Sequence, residues 1–288
     1  MINKVDLQWI AGIIDAEGSI GLYYKKKKVN GYIIKSRKAI LRISTCDHII
    51  IPEISRILNK KYIQKRINKN RIKYIITLTG NKLKYLLSNL VKFLYTKQPH
   101  ALFCLKAIYI KNGKNEFYSE NESNAWENYR KELKELNERG RNATVDNKDR
   151  SHIFTWPWLA GLIDGDGSIT LSEFGPRHKP SIKPIIKISL AHLKTIIYLC
   201  EKFNRTELKG GKIRGNRRLL KTIRFMSTDI YNLSPKIIPH LRLKKKLAEL
   251  AYQIVSLRKE VTNKANPIVN ELLGQFRSSK IDLSIIRI

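Results

Sequence analysis

A twelve-residue segment occurs twice in this chain of 288 residues. Residues 9–20 read WIAGIIDAEGSI, and residues 158–169 read WLAGLIDGDGSI. Eight of the twelve positions are identical, and the other four are Ile/Leu (twice), Ala/Gly and Glu/Asp. The copies begin 149 residues apart, about the length of one domain, so two versions of one unit are expected.

The downstream patterns agree with a repeat. An apolar-alternating stretch follows each motif (18–45 and 167–190), then a helical stretch (47–58 and 191–203). A second alternating pair comes next (61–78 and 206–226), and two helical stretches close each half (80–111 and 228–258). Turn-rich sequence interrupts the strands at Val29-Asn30-Gly31, Gly175-Pro176, Asn68-Lys69-Asn70 and Arg214-Gly215-Asn216. Each half therefore reads αββαββα, an α+β class. Residues 265–288 are weakly patterned and receive no assignment.

Charge follows the repeat. The chain carries 56 Lys+Arg against 24 Asp+Glu, a net of +32. Residues 1–112 hold 23 basic and 5 acidic residues, and residues 151–288 hold 25 and 10. Residues 113–150 hold 8 and 9. The expected organisation is a first half over 1–112, a near-neutral linker over 113–150 and a second half over 151–288. The linker is expected to be solvated, with a surface helix from Ser123, its N-cap, to Arg139, ended by Gly140. So much positive charge repels itself in a compact fold unless a polyanion offsets it, which points to nucleic acid. On charge alone, a basic ribosomal-type protein is the rival.

Other classes are excluded. Cys46, Cys104 and Cys200 lie far apart with no CxxC pair, which gives neither a disulfide framework nor a zinc site, and all three read as packing residues. No apolar run approaches the roughly 20 residues of a membrane span. The first residues read as neither signal nor transit peptide.

The motif has its own physics. Gly12 and Ala16 are four apart, as are Gly161 and Gly165, a spacing that lets two helix backbones approach closely. Each helix is expected to pack on the other copy. Asp15 and Glu17 close the first helix, Asp164 and Asp166 the second, and left-handed C-caps are expected at Gly18 and Gly167. Carboxylates oppose the helix dipole at a C-terminus, so a cation must compensate. If the two helices pack side by side, carboxylates and free carbonyls form an oxygen cluster suited to Mg²⁺. Such an ion beside a phosphate activates water and stabilises the leaving oxygen. At about 100° per residue round the helix, Asp15 and Asp164 point away from Glu17 and Asp166 and read as structural.

The two copies resemble the LAGLIDADG motif, which names a large group of homing endonucleases, and a doubled motif is similar to the single-chain, monomeric members. The resemblance implies that the motif helices form the interface between halves. It implies that each half supplies a curved antiparallel sheet, a saddle over the DNA major groove with helices behind. It makes Glu17 and Asp166 the metal-binding acids, and it makes Ala16 and Gly165 the donors of backbone carbonyls. Glu17 departs from the Asp of the name motif but keeps the carboxylate. The resemblance also places a basic residue before the last long helix of each half. Lys97 and Lys244 match, with Lys245 and Lys246 as alternatives to Lys244.

Strand alternation separates a core face from a groove face. Ile20, Leu22 and Tyr24 form one face, and Ser19, Gly21, Tyr23, Lys25 and Lys27 the other. In the second half Ser168, Thr170 and Ser172 take the groove side, and Glu173 marks where the strand leaves the core. Lys38, Arg42, Arg71 and Lys73, and Lys183, Lys187, Arg218 and Arg224, extend the two surfaces. Arg and Lys on such a ribbon can read guanine edges or hold phosphates.

The expected function is a site-specific double-strand DNA endonuclease. The halves differ in their groove residues, so the site is expected to be long and non-palindromic. Mg²⁺ is the expected cofactor, with Mn²⁺ substituting and Ca²⁺ binding without cleavage. The resemblance implies short 3′ overhangs. The alternatives are a maturase acting on its own group I intron RNA and a DNA-binding protein of this fold that has lost catalysis. The richness in Lys, Ile and Asn suggests A/T-rich codons and hence an organelle, mitochondria first, with a bacterial or archaeal origin open.

Overall fold

A computed structural model describes residues 2–29, 32–68, 71–110, 120–142, 154–176, 181–190, 192–205, 208–212, 219–260 and 267–285. The elements in the first half are α1 (Lys4–Glu17), β1 (Gly18–Val29), β2 (Tyr32–Thr45), α2 (Ile50–Leu58), β3 (Ile63–Asn68), β4 (Arg71–Leu78), α3 (Gly80–Leu90) and α4 (Gln98–Ile110). α5 (Glu120–Asn142) follows. The same order returns as α6 (Trp156–Asp166), β5 (Gly167–Phe174), β6 (Ser181–Leu190), α7 (Leu193–Lys202), β7 (Leu208–Lys212), β8 (Leu219–Met226), α8 (Ser227–Ile237) and α9 (Lys245–Glu260), with α10 (Pro267–Ile285) added.

Each half builds one four-stranded antiparallel sheet, in the orders β1-β2-β4-β3 and β5-β6-β8-β7. The registers are equivalent: Gly18 pairs with Ile43 and that with Ile76, while Gly167 pairs with Ile188 and that with Ile223. Apolar residues alternate onto one face, so Ile20, Leu22, Leu41, Ile43, Ile76 and Leu78 are buried under helices. Ile169, Ile186, Ile188, Ile223 and Phe225 do the same in the second sheet.

The motif helices pack on each other in the middle of the molecule. From Leu7 to Asp15 every residue of α1 is buried, as is every residue of α6 from Pro157 to Asp164. A helix apolar on all sides must be enclosed on all sides, and here each lies against its copy and against its own sheet. The contact is backbone to backbone. A Cβ on Gly12 would lie 2.1 Å from the carbonyl oxygen of Trp158, and one on Gly161 would lie 2.1 Å from that of Trp9. Only glycine allows that approach.

The caps differ from the expected form. Gly18 (φ −80°, ψ 150°) and Gly167 (φ −79°, ψ 161°) are extended rather than left-handed. They open β1 and β5 directly, and glycine is needed because a Cβ at Gly18 would sit 2.6 Å from the Ile14 carbonyl oxygen.

The connecting helix also departs from expectation. α5 begins at Glu120, so Ser123 is inside it and accepts a bond from the Arg37 guanidinium at 3.1 Å instead of capping. It continues through Gly140 to Asn142. Trp126 and Leu133 are buried against α4 and β1, with Tyr24 donating to Glu127, so this helix is part of the first half's packing rather than a solvated bridge. The unassigned end of the chain forms α10, which packs on α9 through Val269, Leu273 and Phe276, spaced for one helical face. No described helix is long and apolar enough to cross a membrane.

Candidate active site between the motif helices

The C-termini of α1 and α6 emerge together, because the close-packed helices run side by side to their ends. Glu17 and Asp166 close them, and both line an open cavity of about 430 Å³ with Asp164, Gly165, Gly167, Ser44, Thr45, Cys46, Asp47 and Lys73. Burial pushes the Asp166 carboxyl up, and the neighbouring Glu17 carboxylate pushes it further, to about 7. Lys244 and Lys97 pull it back. The two sequence-predicted acids and the two sequence-predicted lysines thus converge on one spot.

The other acid of each motif is an anchor. Asp15, buried, accepts from the backbone N–H of Tyr95 (2.7 Å) and of Lys97 (2.8 Å) and from the Trp158 indole N–H (2.9 Å). Asp164 repeats the pattern: Arg242 N–H (2.9 Å), Lys244 N–H (3.0 Å) and the Trp9 indole N–H (3.0 Å). Burial raises the Asp15 pKa to about 6 despite these bonds, and it also raises that of Asp164. The first residue of each motif therefore holds the penultimate acid of the other copy, and that acid holds the lysine-bearing segment of its own half.

Those segments lead straight into α4 and α9. The carbonyl oxygens of Lys97 and Lys244 accept the first helical bonds, from Ala101 (2.9 Å) and Ala248 (3.0 Å). Two positive helix N-termini bearing lysines thus face two negative C-termini bearing carboxylates, a complementary dipole arrangement. Lys244 is only 5 % exposed, and its Nζ donates to the carbonyls of Ile163 (2.7 Å) and Asp164 (2.5 Å) in the last turn of α6. This is the compensating cation that an acidic helix end requires. Lys97 is half-buried, and Lys245 and Lys246 are exposed.

The residues expected to face a DNA groove lie on one face of each sheet. Ser19 pairs with Arg42 and that with Thr77, while Tyr23 pairs with Lys38. In the second sheet Ser168 pairs with Lys187 and that with Arg224, Thr170 with Ile185, and Ser172 with Lys183. Arg42, Arg224 and Tyr23 are exposed. Thr170 is half-buried, with its hydroxyl sealed from solvent. Lys73, expected on the groove surface, lines the cavity beside the carboxylates. Arg218 lies outside the described residues, as do the side chains of Lys25, Lys27 and Arg71.

Sequence reasoning missed the Thr45–Asp47 corner. Cys46, taken for a buried packing residue like Cys104 and Cys200, is half-exposed at the cavity wall, because β2 ends there and the chain turns through Asp47. It missed Arg242 too. The Trp at the head of each repeat was a usable signal for the indole bonds, whereas nothing in the repeat marks Cys46.

No family model matches the chain, and no curated protein does. Solved structures do. I-SmaMI bound to an uncleaved DNA target in the presence of calcium ions has a TM-score of 0.65 at 17% identity, covering 94% of this chain and 96% of that one. The I-SmaMI LAGLIDADG homing endonuclease bound to cleaved DNA has a TM-score of 0.63 at 16% identity, covering 94% of each. The LAGLIDADG meganuclease I-AabMI bound to uncleaved DNA has a TM-score of 0.63 at 15% identity, covering 94% and 97%. The chain has the fold of the LAGLIDADG homing endonucleases. The likeness runs through both halves, as the doubled LAGLIDADG motif does.

The donor set suits a hard divalent cation. Glu17 and Asp166 supply carboxylate oxygens, and their mutual repulsion marks a place short of positive charge. Among the described residues no cluster of three or more His, Cys, Asp or Glu forms a closed metal site, so backbone carbonyls and water would complete the shell.

Proposed function

We propose that this protein is a monomeric, site-specific DNA endonuclease that hydrolyses one phosphodiester in each strand of a long, non-palindromic duplex site. The observation that carries this reading is the Glu17–Asp166 pair, set where two motif helices end between two basic sheet faces. In a chain of net charge +32, a half-buried acidic pair at that place works against both stability and DNA affinity unless it does chemistry.

Glu17 and Asp166, with the carbonyls of Ala16 and Gly165, would hold Mg²⁺. A cation bound there would lower the pKa of water and stabilise charge on the phosphate. Arg42, Lys38, Arg224 and Lys187 bind the duplex and set its register. Lys97 stabilises negative charge developing at the scissile phosphate. Lys244 keeps the α6 end intact by neutralising its carbonyls. The likeness, over 94% of this chain, to proteins solved with a DNA target bound supports this reading. Residence in an organelle belongs to the same proposal.

The test is a cleavage selection on a randomised duplex library with Mg²⁺. Glu17→Gln and Asp166→Asn should each abolish double-strand cleavage and leave binding within a few-fold. Normal cutting of both strands by either variant would show the assignment to be wrong.

A further inference from the structure

The two lysine-bearing segments have matching backbone bonds but are held by unlike forces. In the second half the neighbour of Lys244 is Arg242, and its guanidinium reaches into the first half. One N–H donates to Glu53 at 2.5 Å, and another donates to Asp6. The guanidinium lies 4.3 Å from the centroid of the Trp9 ring, which itself donates to Asp164. Its side chain is 20% exposed, so these pairs are partly desolvated and hydrogen-bonded, unlike ordinary surface ion pairs. Glu53 is fixed by a further pair with Arg56 at 2.8 Å. Arg242 thus ties its own segment to α1 and α2 at three points.

In the first half the equivalent residue is Tyr95, whose backbone N–H donates to Asp15 as that of Arg242 donates to Asp164. Its ring stacks on Tyr198 of α7, with centroids 4.4 Å apart and planes 18° apart, and tilts against Trp158 at 6.2 Å. Here the tie to the opposite half is aromatic and uncharged, with a buried hydroxyl–hydroxyl bond between Thr96 and Thr195 beside the stack.

We propose that Arg242 is a positioning residue, an ionic clamp from the second half to the first that sets the Lys244 segment, while Tyr95 sets the Lys97 segment by stacking on Tyr198. Each strand cut therefore depends on a different clamp. The strand readout rests on the endonuclease function proposed above. The clamp itself does not.

Two measurements test it. The first is amide hydrogen exchange on the full chain without DNA. R242M should speed exchange of the Arg242 and Lys244 amides by about tenfold and leave those of Tyr95 and Lys97 unchanged. Y198L should do the reverse. E53Q, a milder change on the partner side, should move the same amides as R242M by a smaller factor. Equal changes in both segments, or none, would overturn the clamp. The second is single-turnover cleavage of the duplex recovered from the library selection, with each strand labelled. R242M and E53Q should slow the same strand and accumulate nicked product, and Y198L should slow the other. E53Q keeps the Arg242 cation, so strand bias in R242M without any in E53Q would assign Arg242 to DNA contact and overturn the proposal. If the wild-type protein recovers no cleaved duplex, the endonuclease reading fails, and the exchange rates still decide the clamp.

Discussion

The indole of Trp158 donates to Asp15 at 2.9 Å across 143 residues of chain, and Trp9 returns the same bond to Asp164 at 3.0 Å across 155. This crossed pair joins the two halves at their acidic helix ends. It also links the heads of the motifs to the segments carrying Lys97 and Lys244, because the same carboxylates accept those residues' backbone N–H groups.

Removing one indole donor should therefore cost stability in a pH-dependent way. W158F leaves Asp15 two donors instead of three and should destabilise by about 1–3 kcal/mol in urea titrations. The Asp15 pKa of about 6 is already above its ordinary 3.8, so this group opposes folding progressively as pH rises from about 4 to 6. Loss of a donor to the ionised form raises the folded-state value further. The penalty of W158F should be larger at pH 8 than at pH 5, and a flat profile would contradict the bond.

Crowding at the helix crossing predicts a second effect. G12A or G161A would place a methyl 2.1 Å from a backbone oxygen of the other helix, so the helices must separate. We expect a loss of about 3 kcal/mol or more, read as a lower midpoint in chemical denaturation. A neutral result at both positions would mean that the helices do not pack this closely.

The raised Asp166 carboxyl gives a third. Its folded-state pKa of about 7 against 3.8 means that its ionisation costs folding energy as pH climbs through that window. In EDTA, D166N should stabilise the protein at pH 8, on the order of a few kcal/mol, and have little effect at pH 4. Divalent-ion affinity, measured calorimetrically, should fall as pH drops below about 7, because protons compete for the site.

The groove faces predict a fourth. DNA affinity should fall steeply with salt, and R42A or R224A should each flatten the log–log slope by about one. Unchanged slopes would place these arginines off the DNA.

Much of the fold was legible in the sequence because it is periodic. Alternation placed Ile20 and Leu22 in the core and Tyr23 on the open face, and the doubled motif placed Glu17 and Asp166 together. Charge composition misjudged α5: its polar sequence hides Trp126 and Leu133, two buried residues that a linker does not need. The expected left-handed glycines fail for a related reason, since the end of the helix is set by the strand that must start there.

The repeat by itself determined that two like helices would meet and end in acid, because small residues at Gly12 and Gly161 permit contact and the carboxylates follow at fixed helical steps. Only the tertiary structure decided what each acid faces. Asp15 and Asp164 turn inward to indoles and amides 78 or more residues away in the chain, Glu17 and Asp166 turn to the cavity, and Arg242 and Tyr95 secure equivalent segments by charge and by stacking. Those contacts are long-range, and no local period encodes which side chain from the far half will arrive.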